Sequence, residues 1–410
     1  MKELLKRNKY DIYLFIIIVS TIYSRWGLLH PTTFLAIFFL PKLYDNTHLI
    51  QKYVKHISLF FMFWMFYAFV SFFWAPDTQN AYLDLFLLFI HFTLFLEIVV
   101  FSIKANYPIR TIIGSWAFAF FLTSIVGLWE IITNNHLETA REEAEYYTHS
   151  RTDYFKKEYA IVTFYNPNTY CLFICMAFPF ILYLISLSKN KIKLIRNLAL
   201  AFIGIFIMSR DSSRGGLITM AIMLAIYFFY RIKSRSNRIR FYAVIAVSII
   251  GVLVYYFGES FFASILFRLE ENELLESDAR EILISSSWKM FLESNGFGKG
   301  VGSMIYVLGH TNTNPTPYLY VHNMLMETLL QYGAIIGLGL ICFLIYLLFN
   351  SRKVNDTAKS IIVGAVLSFP FYSVINSENL RPHFIWVFFA SIYIISKYRI
   401  KAKQSRTTHV

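Results

Sequence analysis

Charge is what this chain has least of. Asp, Glu, Lys and Arg together make up 15% of its 410 residues, against about 25% in a soluble domain, so a water-soluble globular protein of this length is excluded. Cysteine is scarcer still. Cys171 and Cys175 lie four apart in one apolar run and Cys342 in another, with no CxxC pair, so packing is the reading of all three rather than a metal site or a disulfide. Several chemical signatures are also missing. There is no GxGxxG, no GxxxxGK[ST], no HExxH and no spacing that suggests a Ser-His-Asp arrangement, and no internal repeat or low-complexity tract.

What is present is apolar. Hydrophobic residues account for 57% of the chain and aromatics for 19%, arranged in runs near the ~20 residues that cross a hydrocarbon core and separated by short charged segments. That pattern points to an all-α, polytopic integral membrane protein rather than a barrel of ~10-residue alternating strands. The formal net charge of +13 does not imply nucleic acid, because the basic residues cluster between the runs, where orientation and anionic lipid explain them. Lys2, Lys6, Arg7 and Lys9 precede the first run in the manner of a signal peptide. No small-x-small cleavage site follows, so that run is expected to be the first transmembrane helix.

Twelve spans are expected, near 11–24, 27–41, 57–75, 81–102, 110–133, 167–188, 195–209, 215–231, 241–257, 323–349, 359–376 and 382–397. The second is short, preceded by Pro31 and ended by Pro41, so a tilted or re-entrant segment is an alternative to a full crossing. With a cytoplasmic N-terminus, the short basic connections fall inside, among them Lys52 and Lys55, Lys104 and Arg110, and Arg352 and Lys353, together with the tail from Lys397. This satisfies the positive-inside rule and places both termini in the cytoplasm. The chain then reads as one transmembrane domain, 1–410, with two long external connections, 134–166 and 258–322. Loops of that length usually carry function.

The second external loop contains a helix. Asp278 with Glu281 forms a capping-box-like start, Ile284, Trp288 and Phe291 share a face, and Asn295-Gly296 stops it. The run Gly296-Phe297-Gly298-Lys299-Gly300-Val301-Gly302 has alternating glycines and no preceding strand, so it is read as a turn whose backbone approaches a ligand or another helix.

Three constellations fall at the expected outer surface. Arg210 and Arg214 flank a tight connection, Ser209-Arg210-Asp211-Ser212-Ser213-Arg214-Gly215-Gly216, against the positive-inside trend. They read either as snorkelling charges paired with Asp211 or as a phosphate clamp, since planar guanidinium groups bind phosphate oxygens bidentately. Arg280 sits at the start of the loop helix, either as an anion ligand or as a solvated charge among Glu270, Glu271, Glu273 and Glu276. His322, with Asn323 beside it, immediately precedes a long apolar helix whose positive end disfavours a second proton on the ring. It is either a base or an interfacial histidine filling space. Glu327 lies one turn below. Asp84, His91 and Glu97, in one apolar run, are candidates for an ion pathway or for interface placement, and Glu130 is expected near the outer end of its helix.

Taken in order, Phe164-Tyr165-Asn166-Pro167-Asn168-Thr169-Tyr170, Ser213-Arg214-Gly215-Gly216, Asp278-Ala279-Arg280 followed by Trp288 and the glycine run, and His322-Asn323 followed by Gly333 and Gly337 resemble the O-antigen ligase and O-antigen polymerase superfamily. The likeness is strong over 160–340 and topological elsewhere. It implies a metal-independent, cofactor-free GT-C-type glycosyltransferase in the bacterial cytoplasmic membrane with an extracytoplasmic active site. The donor implied is an undecaprenyl-pyrophosphate-linked oligosaccharide and the acceptor a glycan hydroxyl. Membrane lipid is a partner and a chain-length regulator is left open as another. By the same resemblance Arg214 and Arg280, with Arg210, hold the pyrophosphate and His322 activates the acceptor for inverting attack, with Asn323, Glu327 and Asn168 supporting. Lys299 departs from the family pattern and is either a phosphate contact or a solvated charge. A polysaccharide polymerase is expected ahead of a ligase that delivers glycan to a lipid core, protein or wall acceptor. The rival from another class is a transporter or flippase of lipid-linked glycan, which would want midplane charges and paired repeats with broken helices.

Overall fold

The computed structural model describes residues 8–23, 30–137, 159–164, 166–211, 213–233, 273–310, 319–376 and 380–397. Among these, all regular structure is helical, as required of apolar segments that must satisfy their backbone groups without water. The elements are α1 (Lys9–Ser20), α2 (Pro31–Tyr44), α3 (Thr47–Tyr53), α4 (Lys55–Ser71, extended by a 3₁₀ turn Phe72–Trp74), α5 (Thr78–Lys104), α6 (Pro108–Thr133), α7 (Pro167–Leu187), α8 (Lys191–Arg210), α9 (Arg214–Lys233), α10 (Glu273–Glu293), α11 (Met304–Gly309), α12 (Met324–Ser351), α13 (Asp356–Leu367), α14 (Phe369–Tyr372) and α15 (His383–Lys397).

Six of these are long and apolar enough to cross a membrane: Lys55–Trp74, α5, α6, α7, α8 and α12. The other expected spans coincide with α1, α2, α9, the pair α13 and α14, and α15, while 241–257 lies outside the described residues. So do 138–158, most of the first long connection, and parts of the second. Local signals set many of the boundaries. Prolines open α2, α6 and α7 at positions whose N–H would have no partner anyway, and the side chains of Asn166, Asn190 and Asn355 accept from first-turn amides of α7, α8 and α13.

Four expectations are corrected. Pro41 does not end α2, which continues to Tyr44. The span expected over 359–376 is divided at Ser368, because Pro370 has no N–H to continue the ladder and disfavours helical geometry in the residue before it. The loop helix begins at Glu273, five residues before Asp278, so Asp278 and Glu281 lie within it and do not cap it. Arg280 is therefore about two turns inside α10, away from the free amides of its N-terminus. Of the residues expected to share a face, Phe291 is buried, Ile284 half-buried and Trp288 47% exposed, while Leu283, Ser287 and Met290 are buried beside them.

α5 and α7 form the interior, with most of their surface covered, while α4 and α8 bury one face and leave Phe66, Phe69, Ile192 and Ile195 exposed. Aromatic stacking ties the layers together, with Trp116 on Phe180 at 5.1 Å and Phe61 on Phe92 at 4.1 Å between ring centroids.

The longest helix is broken. Gly333, at φ 77° and ψ −175°, interrupts α12 one third of the way along, and the sequence read it as continuous. The glycine run fills the break: Lys299 N–H donates to Leu330 O (2.7 Å), Gly300 N–H to Gln331 O (3.1 Å), and Ala334 N–H to Gly296 O (2.8 Å). The turn therefore approaches another helix, the second of the two options left open above. Its far side is held by Ser71 Oγ, which accepts from Val301 N–H at 3.0 Å, and by Gln331 Oε1, which accepts from Gly302 N–H at 2.8 Å.

Candidate functional site

His322 is the conformational outlier of this region. Its φ is 51°, in the left-handed region that non-glycine residues enter at a cost of about 1–3 kcal/mol. Its Nδ1 is sealed from solvent and has no hydrogen-bond partner among the described residues. Backbone strain and a buried nitrogen without a partner are two features that cluster where side chains do chemistry. Two anchors hold it there. Asn323 Oδ1 accepts from the N–H groups of Leu325 and Met326 at 3.0 and 3.1 Å, and Met324 N–H donates to Ser373 O at 3.1 Å. The Asn323 carbonyl is thus occupied in capping α12, which leaves only its amide nitrogen for a substrate.

The loop helix delivers Arg280 to this imidazole. Leu283 and Met290 of α10 pack with Val321, Met326 and Leu330 in a small core of their own, and Arg280 lies one turn before Leu283. The consequence is electrostatic. Burial first, and the Arg280 guanidinium second, lower the His322 pKa from 6.5 to about 4. His322 is therefore neutral across the physiological range and able to accept a proton.

Arg214 heads α9 and is exposed. Its neighbour Gly215 runs so close to the α14 turn that an added Cβ would lie 3.1 Å from Phe371 O. The segment Phe369–Ile375 therefore touches both the Arg214 end of α9, through Phe371, and the His322 end of α12, through Ser373. Across the tight connection, Arg210 ends α8 with its guanidinium over the Phe206 ring at 5.7 Å. Asp211 between the arginines is buried and accepts from Ala160 N–H at 2.8 Å, so its carboxylate also has a structural task.

The remaining candidates separate by environment. Glu327 is buried one turn into α12. Asn168 is half-buried in the first turn of α7, where its neighbour Thr169 donates to Asn376 Oδ1 at 2.8 Å. Lys299 pairs with Glu293 at 3.7 Å beside a cavity of about 650 Å³ that Trp74 and Phe297 also line. Asp84 is ion-paired with Arg381 at 2.8 Å, an arginine that sequence reasoning missed although it stands alone beside Pro382. His91 shares a 2.9 Å hydrogen bond with His383, and Glu97 is fully buried. Glu130 accepts from Ile161 and Val162 N–H, both at 2.8 Å, holding the segment that leads into α7.

One of the chain's similarities to known proteins spans Arg210, Arg214, Arg280, His322 and Glu327. A family model described as O-Antigen ligase matches 198–344, from within α8 through most of α12. The teichuronic acid biosynthesis protein TuaE of Bacillus subtilis (strain 168) is 28% identical over 356 residues, covering 83% of this chain and 71% of the relative. No solved structure matches.

Proposed function

We propose that this chain, which matches the O-antigen ligase family model over 198–344 and resembles a teichuronic acid biosynthesis protein, is a membrane enzyme of polysaccharide biosynthesis that transfers an oligosaccharide from undecaprenyl pyrophosphate to a glycan hydroxyl, extending a surface polysaccharide. What carries the reading is the pairing of Arg280 with a neutral, strained His322, two residues far apart in sequence that one loop helix brings into a common field. In the reaction, His322 takes the proton of the acceptor hydroxyl as its oxygen attacks the anomeric carbon from the face opposite the leaving group. The bond from that carbon to the pyrophosphate oxygen breaks, and undecaprenyl pyrophosphate departs with its charge neutralised by Arg280, Arg214 and Arg210. Guanidinium groups supply that counter-charge without a metal. The chain acts as a single transmembrane domain in the cytoplasmic membrane, with both termini inside and His322 outside.

Polymer extension is favoured by the relative's tie to teichuronic acid biosynthesis. The description of the family model favours the second reading, ligation of a glycan to a lipid core, protein or wall acceptor. The break at Gly333 is filled by backbone from the glycine run, so it opens no ion site of the kind a transporter builds. The test is to supply the purified protein with lipid-linked oligosaccharide and an acceptor. Longer glycan together with free undecaprenyl pyrophosphate is the expected outcome, and movement of the lipid without its release would overturn the proposal.

A further inference from the structure

The end of the bundle away from His322 holds a second concavity that the reaction does not use. It has a volume of about 600 Å³ and lies between α4, the far half of α12 and α15. Its floor is aromatic, formed by the buried rings of Phe61, Trp64, Phe95 and Trp386, and its accessible apolar sides by Ile57, Phe60 and Phe343. Trp64 and Trp386 meet at 5.7 Å, Trp386 stacks on His91 at 5.4 Å, and Phe61 lies flat on Phe92, so this floor is part of the rigid interior.

The mouth is chemically different. Lys52, Lys55 and Lys397 stand there, and among the described residues the lining contains no carboxylate. None of the three lysines is ion-paired among the described residues. Two of them are instead held over aromatic rings: Lys397 Nζ lies 4.8 Å from the Tyr346 centroid and 5.7 Å from that of Tyr393, and Lys52 Nζ lies 5.2 Å from that of Tyr53. Rings that hold ammonium groups beside an apolar slot keep positive charge at the slot's opening without neutralising it.

We propose that this groove is a binding site for one anionic phospholipid, its phosphate held among Lys52, Lys55 and Lys397 and one hydrocarbon tail lying along Ile57, Phe60 and Phe343. An amphiphile with a single negative head matches both halves of the site, the unpaired cations at the mouth and the apolar slot behind them. A partner helix would satisfy the slot but leave three ammonium groups without counter-charge. The polyprenyl carrier is disfavoured because the arginines and histidine proposed for its pyrophosphate lie at the opposite end of α12. With the orientation proposed above the groove opens to the cytoplasmic leaflet, and the site itself stands whatever chemistry His322 performs.

The test uses the full chain reconstituted in nanodiscs of phosphatidylglycerol or of phosphatidylcholine with the same acyl chains, then released into detergent for native mass spectrometry. One retained phosphatidylglycerol and no retained phosphatidylcholine is expected. The Lys52→Gln/Lys55→Gln/Lys397→Gln variant should retain at least about tenfold less, and the corresponding triple Arg variant should retain the lipid. A second measurement uses the unaltered protein. Cys342 lines the groove and is exposed, whereas Cys171 and Cys175 are buried, so phosphatidylglycerol should slow maleimide labelling of Cys342 and phosphatidylcholine should not. Equal retention of the two lipids, unchanged retention in the Gln variant, labelling indifferent to headgroup, or displacement of phosphatidylglycerol by an equal amount of polyprenyl phosphate would each overturn the proposal.

Discussion

The backbone N–H of Lys299 donates to the carbonyl of Leu330 at 2.7 Å, while Ala334 N–H, the usual helical partner of that carbonyl, donates instead to Gly296 O at 2.8 Å. The loop thus replaces the i→i−4 bond that the break at Gly333 removes, supplying one donor and one acceptor. Such an exchange requires backbone against backbone. A Cβ on Gly298 would lie 2.7 Å from Gly333 N, and one on Gly302 2.4 Å from Asn80 C.

Gly298→Ala should therefore destabilise the protein by about 1–3 kcal/mol or more, since φ is +82° there in addition to the clash. A lowered thermal midpoint of the detergent-purified protein is the readout. An unchanged midpoint would mean that the loop is not seated in the helix break.

Removing the imidazole should abolish turnover and spare the fold. His322→Ala is expected to lose roughly 10²–10⁴ in kcat with normal expression and, because the buried nitrogen it removes has no hydrogen-bond partner among the described residues, to show no large loss of thermal stability. Full activity in this variant would remove the base assignment.

The pH dependence has a definite sign. His322 has its pKa lowered from 6.5 to about 4 in the folded state, so the unfolded chain binds more protons between those values. The stability linked to this group is complete above pH 6.5, declines as pH falls, and is lost once pH passes below about 4. Activity carried by the neutral ring should persist through pH 5–6 and fall with an acid limb near 4. Arg280→Gln should move that limb upward, because it removes the second of the two causes. An acid limb near 6.5 in the wild type would contradict the site's electrostatics.

Arg214→Lys keeps the charge but not the planar fork. Donor KM should rise several-fold with kcat less affected if Arg214 holds phosphate bidentately, and KM measured with lipid-linked oligosaccharide decides it. Equal kinetics with lysine would assign Arg214 a merely electrostatic role.

Glu130 should matter for stability rather than for chemistry. It is fully buried and accepts two backbone N–H groups at 2.8 Å, one of them from Val162, a β-branched residue at φ 59°. Glu130→Ala leaves both donors without their acceptor and should cost about 2–3 kcal/mol, read as a lower thermal midpoint. Retained stability would show that another group takes over.

The sequence by itself determined the class of the molecule. Scarce charge, long apolar runs and basic connections leave a helical membrane protein as the solution, and prolines and asparagines marked where many helices begin. The residue types around Arg214, Arg280 and His322 indicated anion binding and proton transfer, because guanidinium and imidazole chemistry is a property of the side chain. Tertiary structure decided what depends on partners distant in the chain. It broke α12 at Gly333, because only an external backbone can replace a lost helical bond. It turned Leu283 and Met290 inward and left Trp288 exposed, because the face that a loop helix buries is chosen by the surface it meets. It also set the Arg280 charge against His322, a field that no local spacing encodes.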